Sequence, residues 1–295
     1  MLVDDTYSRE TLIMSPKISF VVLTYNRVDA LIVVLKALAK QCDVDHEVVI
    51  ADDGSCALAV QELKQQLPAF RCVVKHVWHP DRGFTASRAR NLGALASTGN
   101  YLVFLDGDCV PNPRFVEAHM TLAKPGFFVN GNRVLLSERL TQIAISDGTN
   151  LSNAGLMDWV VWRFQGDANK LMHRIYWPLA PGRHQSRFHW KKIRSCNFAV
   201  WRTDFMSVNG FDESFEGWGH EDADFVLRLH HLGLGRLNGF LCTEVYHLWH
   251  RQNSRVSEGV NYQRVMDRIR TGIVKAKIGV QDSLTASDTV VSILN

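Results

Sequence analysis

The sequence predicts an α/β protein whose mostly parallel sheet is covered by helices on both faces. Its first half alternates short apolar, β-branched runs with amphipathic stretches of helical spacing. The apolar runs are nearly continuous, as in strands that are buried on both faces. Three of these runs end in the polar clusters TYNR, DDGS and DGD. Because ligands collect at the carboxyl ends of parallel strands, the clusters predict a site at one edge of the sheet.

The individual elements follow from local patterns. Apolar residues recur at helical spacing in the first predicted helix, and Gly99 and Gly233 stand where two later helices should end. The predicted strands cover 17–23, 47–51, 72–77 and 101–105, and the predicted helices cover 28–39, 86–97 and 220–232. Each of the three polar clusters could instead be an ordinary turn exposed to solvent, because polar turns often have no other role. A single cluster therefore does not establish a site.

Composition excludes several classes of protein. The chain has 295 residues, of which 46% are hydrophobic and 21% charged, an ordinary globular balance. A net charge of +3 is too small to predict nucleic-acid binding. Six cysteines without a CxxC pair argue against a zinc ribbon or a disulfide framework. The sequence contains neither a signal-type run at residues 1–20 nor an apolar stretch long enough to span a bilayer, which predicts a cytoplasmic protein with reduced thiols.

The DGD cluster is the first candidate for metal chemistry. Asp106 and Asp108 are two residues apart, so on an extended segment their carboxylates point to the same side. Two carboxylates at one place repel each other unless a cation lies between them, and oxygen ligands suit Mg²⁺ or Mn²⁺. Since the protein supplies few ligands here, substrate phosphates are expected to complete the coordination shell.

The DDGS cluster and a following arginine are candidates for nucleotide binding. Asp52 and Asp53 follow a buried strand and could accept hydrogen bonds from a base or from ribose hydroxyls. Their alternative role is an Asx-turn. Arg90 could meet a phosphate or a base carbonyl, and its alternative is a solvated position on a helix face.

The motifs together resemble the nucleotide-sugar half of the family 2 glycosyltransferases, which have the GT-A fold. The resemblance rests on SFVVLTYNR, HEVVIADDGS and GFTASRARNLGALASTGNYLVFLDGDCVPNP, within residues 16–115. It implies that the nucleoside is surrounded by Thr24, Asn26, Asp52, Asp53 and Arg90. It also implies that Asp106 and Asp108 are the D-x-D pair that holds ribose and a metal-bound diphosphate.

The segment FDESFEGWGHEDAD precedes an amphipathic helix and carries candidate acceptor chemistry. Carboxylates in the first turn of a helix are often simple caps, but an ionised one could accept a proton from an attacking hydroxyl. GWGHED resembles the acceptor segment of β-1,4-galactosyltransferases and of bacterial chondroitin-type polymerases. This resemblance implies that Asp222 is the catalytic base, that Glu221 binds the acceptor and that Trp218 stacks on a sugar.

Two further residues are assigned through the same resemblance. The stretch 194–202 is similar to the family strand under the donor sugar, where Asn197 could bind a sugar hydroxyl; a polar residue that ends a buried strand is the alternative. Related enzymes carry a metal-binding histidine after a later strand, which implies His247 as the third ligand beside Asp106 and Asp108. His250 stays a second candidate.

The middle and the end of the chain match the family least. Residues 137–192 contain four tryptophans and a basic run, namely Trp159, Trp162, Trp177 and Trp190 with Arg183, His184, Arg187, His189, Lys191 and Lys192, followed by Arg194. This mixture suits an anionic saccharide acceptor or an anionic inner-leaflet surface, and a loop that closes over the donor is the alternative. A helix is predicted over 261–280, containing Arg264, Arg268, Arg270, Lys275 and Lys277, either facing a membrane or solvated.

These inferences combine into one functional hypothesis. A nucleotide-sugar-binding half (16–115) precedes an acceptor half (116–255) and a C-terminal helical tail (256–295). With Mn²⁺ or Mg²⁺, the enzyme would move a sugar from a UDP-type donor to a saccharide or lipid-linked saccharide, with inversion, in lipopolysaccharide, capsule or other surface glycan synthesis. A retaining enzyme of the polypeptide N-acetylgalactosaminyl type and a non-catalytic saccharide-binding subunit are the alternatives. A nucleotidyltransferase is disfavoured because no Gly-rich phosphate loop with a lysine occurs.

Overall fold

Two sheets and ten helices make up the part of the chain that the computed structural model describes, which is residues 16–146, 151, 153–171, 174–185, 193, 196–217, 219–251, 258–284 and 287–295. The strands are β1 (Ile18–Thr24), β2 (Glu47–Asp52), β3 (Val73–Trp78), β4 (Tyr101–Asp106), β5 (Cys109–Pro111), β6 (Phe127–Asn130), β7 (Asn132–Leu135), β8 (His184–Gln185), β9 (Asn197–Trp201), β10 (Gly235–Asn238), β11 (Glu244–His247) and β12 (Val290–Ile293). The helices are α1 (Val28–Ala39), α2 (Ala57–Gln66), α3 (Ala86–Ala96), α4 (Phe115–Leu122), α5 (Glu138–Ser146), α6 (Leu156–Phe164), α7 (Arg202–Ser207), α8 (Glu221–His231), α9 (Glu258–Thr271) and α10 (Val280–Ser283).

The large sheet has nine strands in the order β12-β3-β2-β1-β4-β9-β6-β10-β8. Strands β3, β2, β1 and β4 are parallel to one another, as the alternation of strands and helices predicts. Beyond β4 the sheet is mixed, because β9 runs antiparallel to both β4 and β6. A second sheet of three strands, β5-β11-β7, lies beside the end of β4.

Helices cover both faces of the large sheet, and the pleat of β1 shows how. Phe20 and Val22 point into a core that includes the apolar residues of α1. Val21, between them, points to the other face and packs with residues of α3 and α8. All three side chains are fully buried. The continuous apolar run in the sequence therefore reflects burial on both faces, as predicted.

The predicted elements of the first half are confirmed to within one residue at each end. The helix predicted over 261–280 is wrong at both ends, since α9 covers Glu258–Thr271. Gly272 adopts a φ of +65°, a left-handed conformation that ends the helix, so Lys275 and Lys277 lie beyond it.

The C-terminal region is not purely helical, which corrects the predicted description of 256–295. Its last strand, β12, pairs antiparallel with β3 and becomes the edge of the large sheet. The amide of Asn295 accepts a hydrogen bond from the Val74 N–H and donates one to the Cys72 carbonyl. The end of the chain is thereby attached to the strand layer of the predicted nucleotide half.

Candidate active site

A cleft of about 1800 Å³ opens at the carboxyl ends of β1 and β4 and is closed on its other side by the start of α8. Its walls contain predicted residues from both the nucleotide-sugar-binding half and the acceptor half. The predicted residues that line it are Thr24, Asp53, Arg90, Asp106, Asp108, Glu221, Asp222, His247 and His250. The clusters that lie far apart in the sequence are thus brought to one edge of the sheet, as expected for a parallel α/β fold.

The DGD turn is held against the end of β1. The Gly107 N–H donates a 2.7 Å hydrogen bond to the Leu23 carbonyl oxygen. A Cβ at this position would lie only 2.7 Å from the same oxygen, so the close approach requires glycine. This contact places Asp106 and Asp108 on the wall of the cleft.

Of the two carboxylates in the DGD turn, that of Asp108 lies next to histidines. Its carboxylate oxygens lie 3.9 Å from His247 Nε2 and 3.3 Å from His250 Nε2. Ligand atoms of Asp108, His247 and Cys109 all lie within 4.8 Å of one another. Burial, with help from Cys196, raises the pKa of the Cys109 thiol well above its ordinary value, so this sulfur is a poor metal ligand. The carboxylate and the imidazole fit Mn²⁺ or Mg²⁺ better.

Asp106, unlike Asp108, contacts an arginine. Its Oδ1 accepts a 2.8 Å hydrogen bond from Arg90 Nη2, whose side chain is almost completely buried. Within the described residues, Asp106 does not belong to the cluster that could hold a metal ion. Of the three predicted ligands, the structure therefore brings Asp108 and His247 together and pairs Asp106 with an arginine.

Arg90 bridges the two halves of the cleft. One guanidinium nitrogen contacts Asp106, and the other lies 3.7 Å from Glu221 Oε1 at the start of α8. The guanidinium also lies 5.4 Å from the centre of the Phe211 ring. Arg90 was predicted to meet a phosphate or a base, but in this structure its charge compensates carboxylates of both halves.

Glu221 and Asp222 occupy the first turn of α8 and both line the cleft. The residue before them, His220, has a φ of +70°, which turns the chain into the helix. Burial raises the pKa of Glu221 to about 7, and repulsion from Asp222 adds to this, while Arg90 opposes it. Asp222 Oδ1 accepts a hydrogen bond from the Ala223 N–H. Trp218, the predicted stacking residue, lies outside the described residues.

The next acid of this helix has a structural role. Asp224 is fully buried and contacts Arg228 at 2.7 Å and Arg268 of α9 at 3.1 Å. Arg268 also binds Asp212. This buried network joins α8 to α9 and holds the first turn of α8 at the cleft.

Three predicted donor-site residues do not line the cleft. Asp52 is buried and binds His76 Nε2 at 2.9 Å and the Ser55 N–H at 2.8 Å. Asn26 accepts a hydrogen bond from the Cys56 N–H and so ties two loops together. Asn197 is buried and donates to the backbone carbonyls of Asn132 and Thr243. These hydrogen bonds tie the three residues to neighbouring loops and strands, and their contacts with the nucleoside and the donor sugar stay predictions.

Asp53 and Thr24 are two predicted nucleoside-binding residues that line the cleft. The Asp53 carboxylate accepts a 3.0 Å hydrogen bond from the Thr85 N–H and a 2.5 Å one from the Thr85 hydroxyl. It also lies 3.3 Å from His79 Nε2. Asp53 thus positions the loop that brings Gly83 and Phe84 to the cleft.

Sequence reasoning missed several residues of the cleft, namely Tyr25, Phe84, Arg133, Trp249, Glu258 and Tyr262. Arg133 shares one face of the three-stranded sheet with His247, because Leu135 pairs with His247 and Arg133 lies two residues earlier. Alternation with the buried Val134 was an available signal for its exposure. The other residues lie on loops and on α9, whose position no local pattern specifies.

The model of the glycosyl transferase family 2 matches residues 19–193, more than half of the chain. The chain belongs to this family. A second family model, described as the N-terminal domain of galactosyltransferase, matches residues 183–251, which contain the GWGHED segment. Both predicted resemblances are therefore confirmed.

Two curated relatives have related descriptions. The chain is 28% identical over 250 residues to chondroitin synthase of Escherichia coli, covering 78% of this chain and 34% of that protein. It is 32% identical over 235 residues to validoxylamine A glucosyltransferase of Streptomyces hygroscopicus subsp. jinggangensis, covering 74% of this chain and 52% of that protein. The chain thus spans about a third to a half of the length of these relatives.

A solved structure shows the same fold. Staphylococcus aureus TarS 1–349 in complex with UDP-GlcNAc superposes with a TM-score of 0.57 at 16% identity, covering 90% of this chain and 69% of that one. The predicted GT-A fold is confirmed. None of the helices in the described part of this chain combines the length and apolar composition that crossing a membrane requires.

Proposed function

We propose that this protein transfers a sugar from a nucleoside diphosphate, with UDP as the expected nucleotide, to a hydroxyl of a saccharide, and that it inverts the anomeric configuration. One observation carries the proposal: the D-x-D turn and the Glu221/Asp222 pair line the same cleft and share Arg90. The names of the two relatives and the UDP-GlcNAc bound by TarS support a nucleotide-sugar donor.

The chemistry assigned to the protein's own groups is a single displacement. Asp222 accepts the proton of the acceptor hydroxyl, whose oxygen attacks the anomeric carbon from the face opposite the nucleotide. The bond to the diphosphate breaks, and the nucleotide leaves. An α-linked donor then gives a β-linked product. Glu221 positions the acceptor beside Asp222, and Arg90 holds Glu221 in place.

A divalent ion is part of the proposal. Asp108 and His247 would hold it, with His250 within reach of the same carboxylate. When bound, Mn²⁺ or Mg²⁺ supplies positive charge against the departing diphosphate. Asp106, paired with Arg90, is assigned to the ribose side of the nucleotide.

We assign the acceptor to the saccharides of bacterial surface glycans, such as lipopolysaccharide or capsule, free or linked to a lipid. The chondroitin synthase relative supports a saccharide acceptor. Trp249 and Tyr262 on the cleft wall offer aromatic faces on which a sugar ring can pack.

The test of the base is Asp222→Asn. We expect kcat to fall about 10²–10⁴-fold, because general base catalysis has this magnitude, while affinity for the nucleotide sugar stays nearly unchanged. Transfer is measured by product formation and affinity by calorimetry. Asp267→Asn is the matched control, since Asp267 is an exposed aspartate of α9 that does not line the cleft. A fall in both activity and affinity would contradict the assignment.

The same calorimetry with Asp108→Ala tests the metal site. Binding of the nucleotide sugar should lose its dependence on Mn²⁺, and equal Mn²⁺ dependence in variant and wild type would exclude Asp108 as a ligand. The anomeric configuration of the product, read by NMR, tests inversion. An α-linked product from an α-linked donor would favour the retaining alternative, and absence of both transfer and donor hydrolysis would favour the non-catalytic one.

A further inference from the structure

Helix α6 is apolar on two opposite sides. On one side Trp159 is fully buried, with its ring centre 4.6 Å from that of Tyr246 and 4.9 Å from that of Trp162. On the other side Leu156, Met157, Val161 and Phe164 are exposed, and Phe164 and Met157 expose 88% and 70% of their surface. An apolar helix face is normally covered by another surface.

The segment 174–179 carries further exposed apolar side chains. Ile175, Trp177 and Leu179 are also exposed. The Arg174 side chain interacts with the hydroxyl of Tyr246, and the Tyr246 ring packs on Trp159, so the segment is linked to α6 through one tyrosine. We call the seven exposed side chains the apolar patch, namely Leu156, Met157, Val161, Phe164, Ile175, Trp177 and Leu179. Exposed apolar side chains gathered on one helix face, with three more on a segment linked to that helix, mark a binding face.

The charge of the surrounding sequence indicates what binds there. Residues 137–192 contain eight lysines and arginines and four acids, whereas the other 239 residues contain 25 and 26. The positive net charge of the protein therefore comes from this stretch of sequence, although Arg187, Lys191 and Lys192 lie outside the described residues. At the patch itself, Arg163 and Arg174 are exposed and directly adjoin exposed apolar residues. Two copies of one positive region repel each other, whereas anionic lipid headgroups attract it.

We propose that the apolar patch is a membrane-docking surface, whose side chains enter the headgroup region of an anionic phospholipid bilayer. Exposed Leu156 and Phe164 beside Arg163 give α6 the pattern of helices that lie in a membrane interface. Tyr246, which packs on α6, and His247, which lines the cleft, are neighbours on β11 and point to opposite faces of its sheet. Docking through α6 therefore leaves the cleft open. The proposal goes beyond the proposed reaction and does not depend on it.

The experiment is flotation of the full chain with phosphatidylcholine vesicles, with and without phosphatidylglycerol. Wild-type protein is expected to float with the anionic vesicles only. The double variant Met157→Gln, Phe164→Gln should bind at least about tenfold more weakly, because two large apolar side chains no longer leave water. The matched control is Val44→Gln, Leu58→Gln, which removes two apolar side chains of similar exposure, 76% and 77%, from other parts of the surface. The control should bind like the wild type.

Three results would overturn the proposal. The wild type could fail to bind anionic vesicles, or the control variant Val44→Gln, Leu58→Gln could weaken binding as much as the α6 pair, Met157→Gln with Phe164→Gln. The third is a wild-type dimer in gel filtration that the α6 pair converts to a monomer. Circular dichroism checks that the variants are folded. Vesicle binding is measured without a nucleotide sugar, so a failure of the proposed reaction does not affect this result. Donor hydrolysis by the α6 pair should equal that of the wild type.

Discussion

At the scale of single residues, Asp106 and Asp108 show how neighbours in sequence acquire different chemistry. The first carboxylate is neutralised by Arg90, and the second lies between His247 and His250. Their two-residue spacing predicts that both reach the same cleft, and both line it. Which partner each one finds depends on groups that arrive from α3, from the end of β11 and from the loop after it.

Arg133 is the residue for which the structure supports a new role. It lines the cleft on the same sheet face as His247, and its charge helps to lower the pKa of His247, which burial lowers most. Among the described residues, no carboxylate lies within ion-pair distance of its guanidinium, in contrast to Arg27, which pairs with Asp29. A guanidinium in this position is expected to bind a phosphate of the nucleotide.

Arg133→Gln is therefore expected to weaken UDP binding about tenfold, the loss of one charge-assisted hydrogen bond, and to leave uridine binding unchanged. Calorimetry with both ligands measures the difference. Arg27→Gln, also on the cleft wall, is the matched comparison and should change UDP binding less. Equal weakening of UDP and uridine by Arg133→Gln would refute the phosphate contact.

At the scale of elements, the C-terminal strand has a consequence for the site. Asp288, just before β12, contacts Arg82 at 2.5 Å and Arg88 at 2.9 Å. Arg82 belongs to the loop that carries Gly83 and Phe84 to the cleft. The same loop is also held by Tyr25, whose hydroxyl donates a hydrogen bond to the Asp81 carboxylate. The residues that lead into β12 thus help to position a wall of the cleft.

Asp288→Asn should raise the KM for the nucleotide sugar about fivefold with little change in kcat, because a partly exposed ion-pair network contributes about 1 kcal/mol and acts here on binding. Steady-state kinetics separate the two constants. Asp45→Asn, which removes an exposed carboxylate from another loop, serves as the control. A fall in kcat at constant KM would show that the loop acts on chemistry instead.

At the scale of the whole molecule, the two predicted halves share one sheet, since β9, β6 and β10 continue the layer of β1–β4. Burial in this joint core changes the acidity of several carboxyls. The pKa of Glu244 is raised to about 7 by burial, whereas hydrogen bonds from Ser19 and Thr98 lower that of Glu47 to about 2 against the opposing effect of burial. Stability therefore depends on pH through particular groups.

Glu244→Gln tests this dependence. The folded protein keeps a proton on Glu244 that the unfolded chain, with a pKa near 4.5, releases, so the free energy of unfolding falls as pH rises from about 4.5 to 7. The glutamine keeps an acceptor for the Leu241 N–H and has no charge to bury. We expect the variant to be more stable than wild type by up to about 3 kcal/mol at pH 8 and equal to it at pH 4.5. Urea unfolding of variant and wild type at pH 8 and at pH 4.5 measures this difference in stability. The same difference at both pH values would contradict the prediction.

The sequence by itself determined the four parallel strands and helices α1 and α3 of the first half, the family and the clusters that line the cleft, whereas helix α2 was not predicted. These features depend on local periodicity, on turn residues and on motifs such as DGD and GWGHED, all readable over short stretches. Even the end of α9 is a local effect of Gly272, although the predicted helix ran past it.

Only the tertiary structure decided which of these groups meet. Arg90 joins Asp106 to Glu221, Asp108 meets His247 from 139 residues away, and β12 closes the sheet beside β3. Asp52 and Asn197 are hydrogen-bonded within the fold by partners from distant parts of the chain. The free energies of charge pairing and burial depend on distances in space, and a single sequence specifies those distances only after every element has packed.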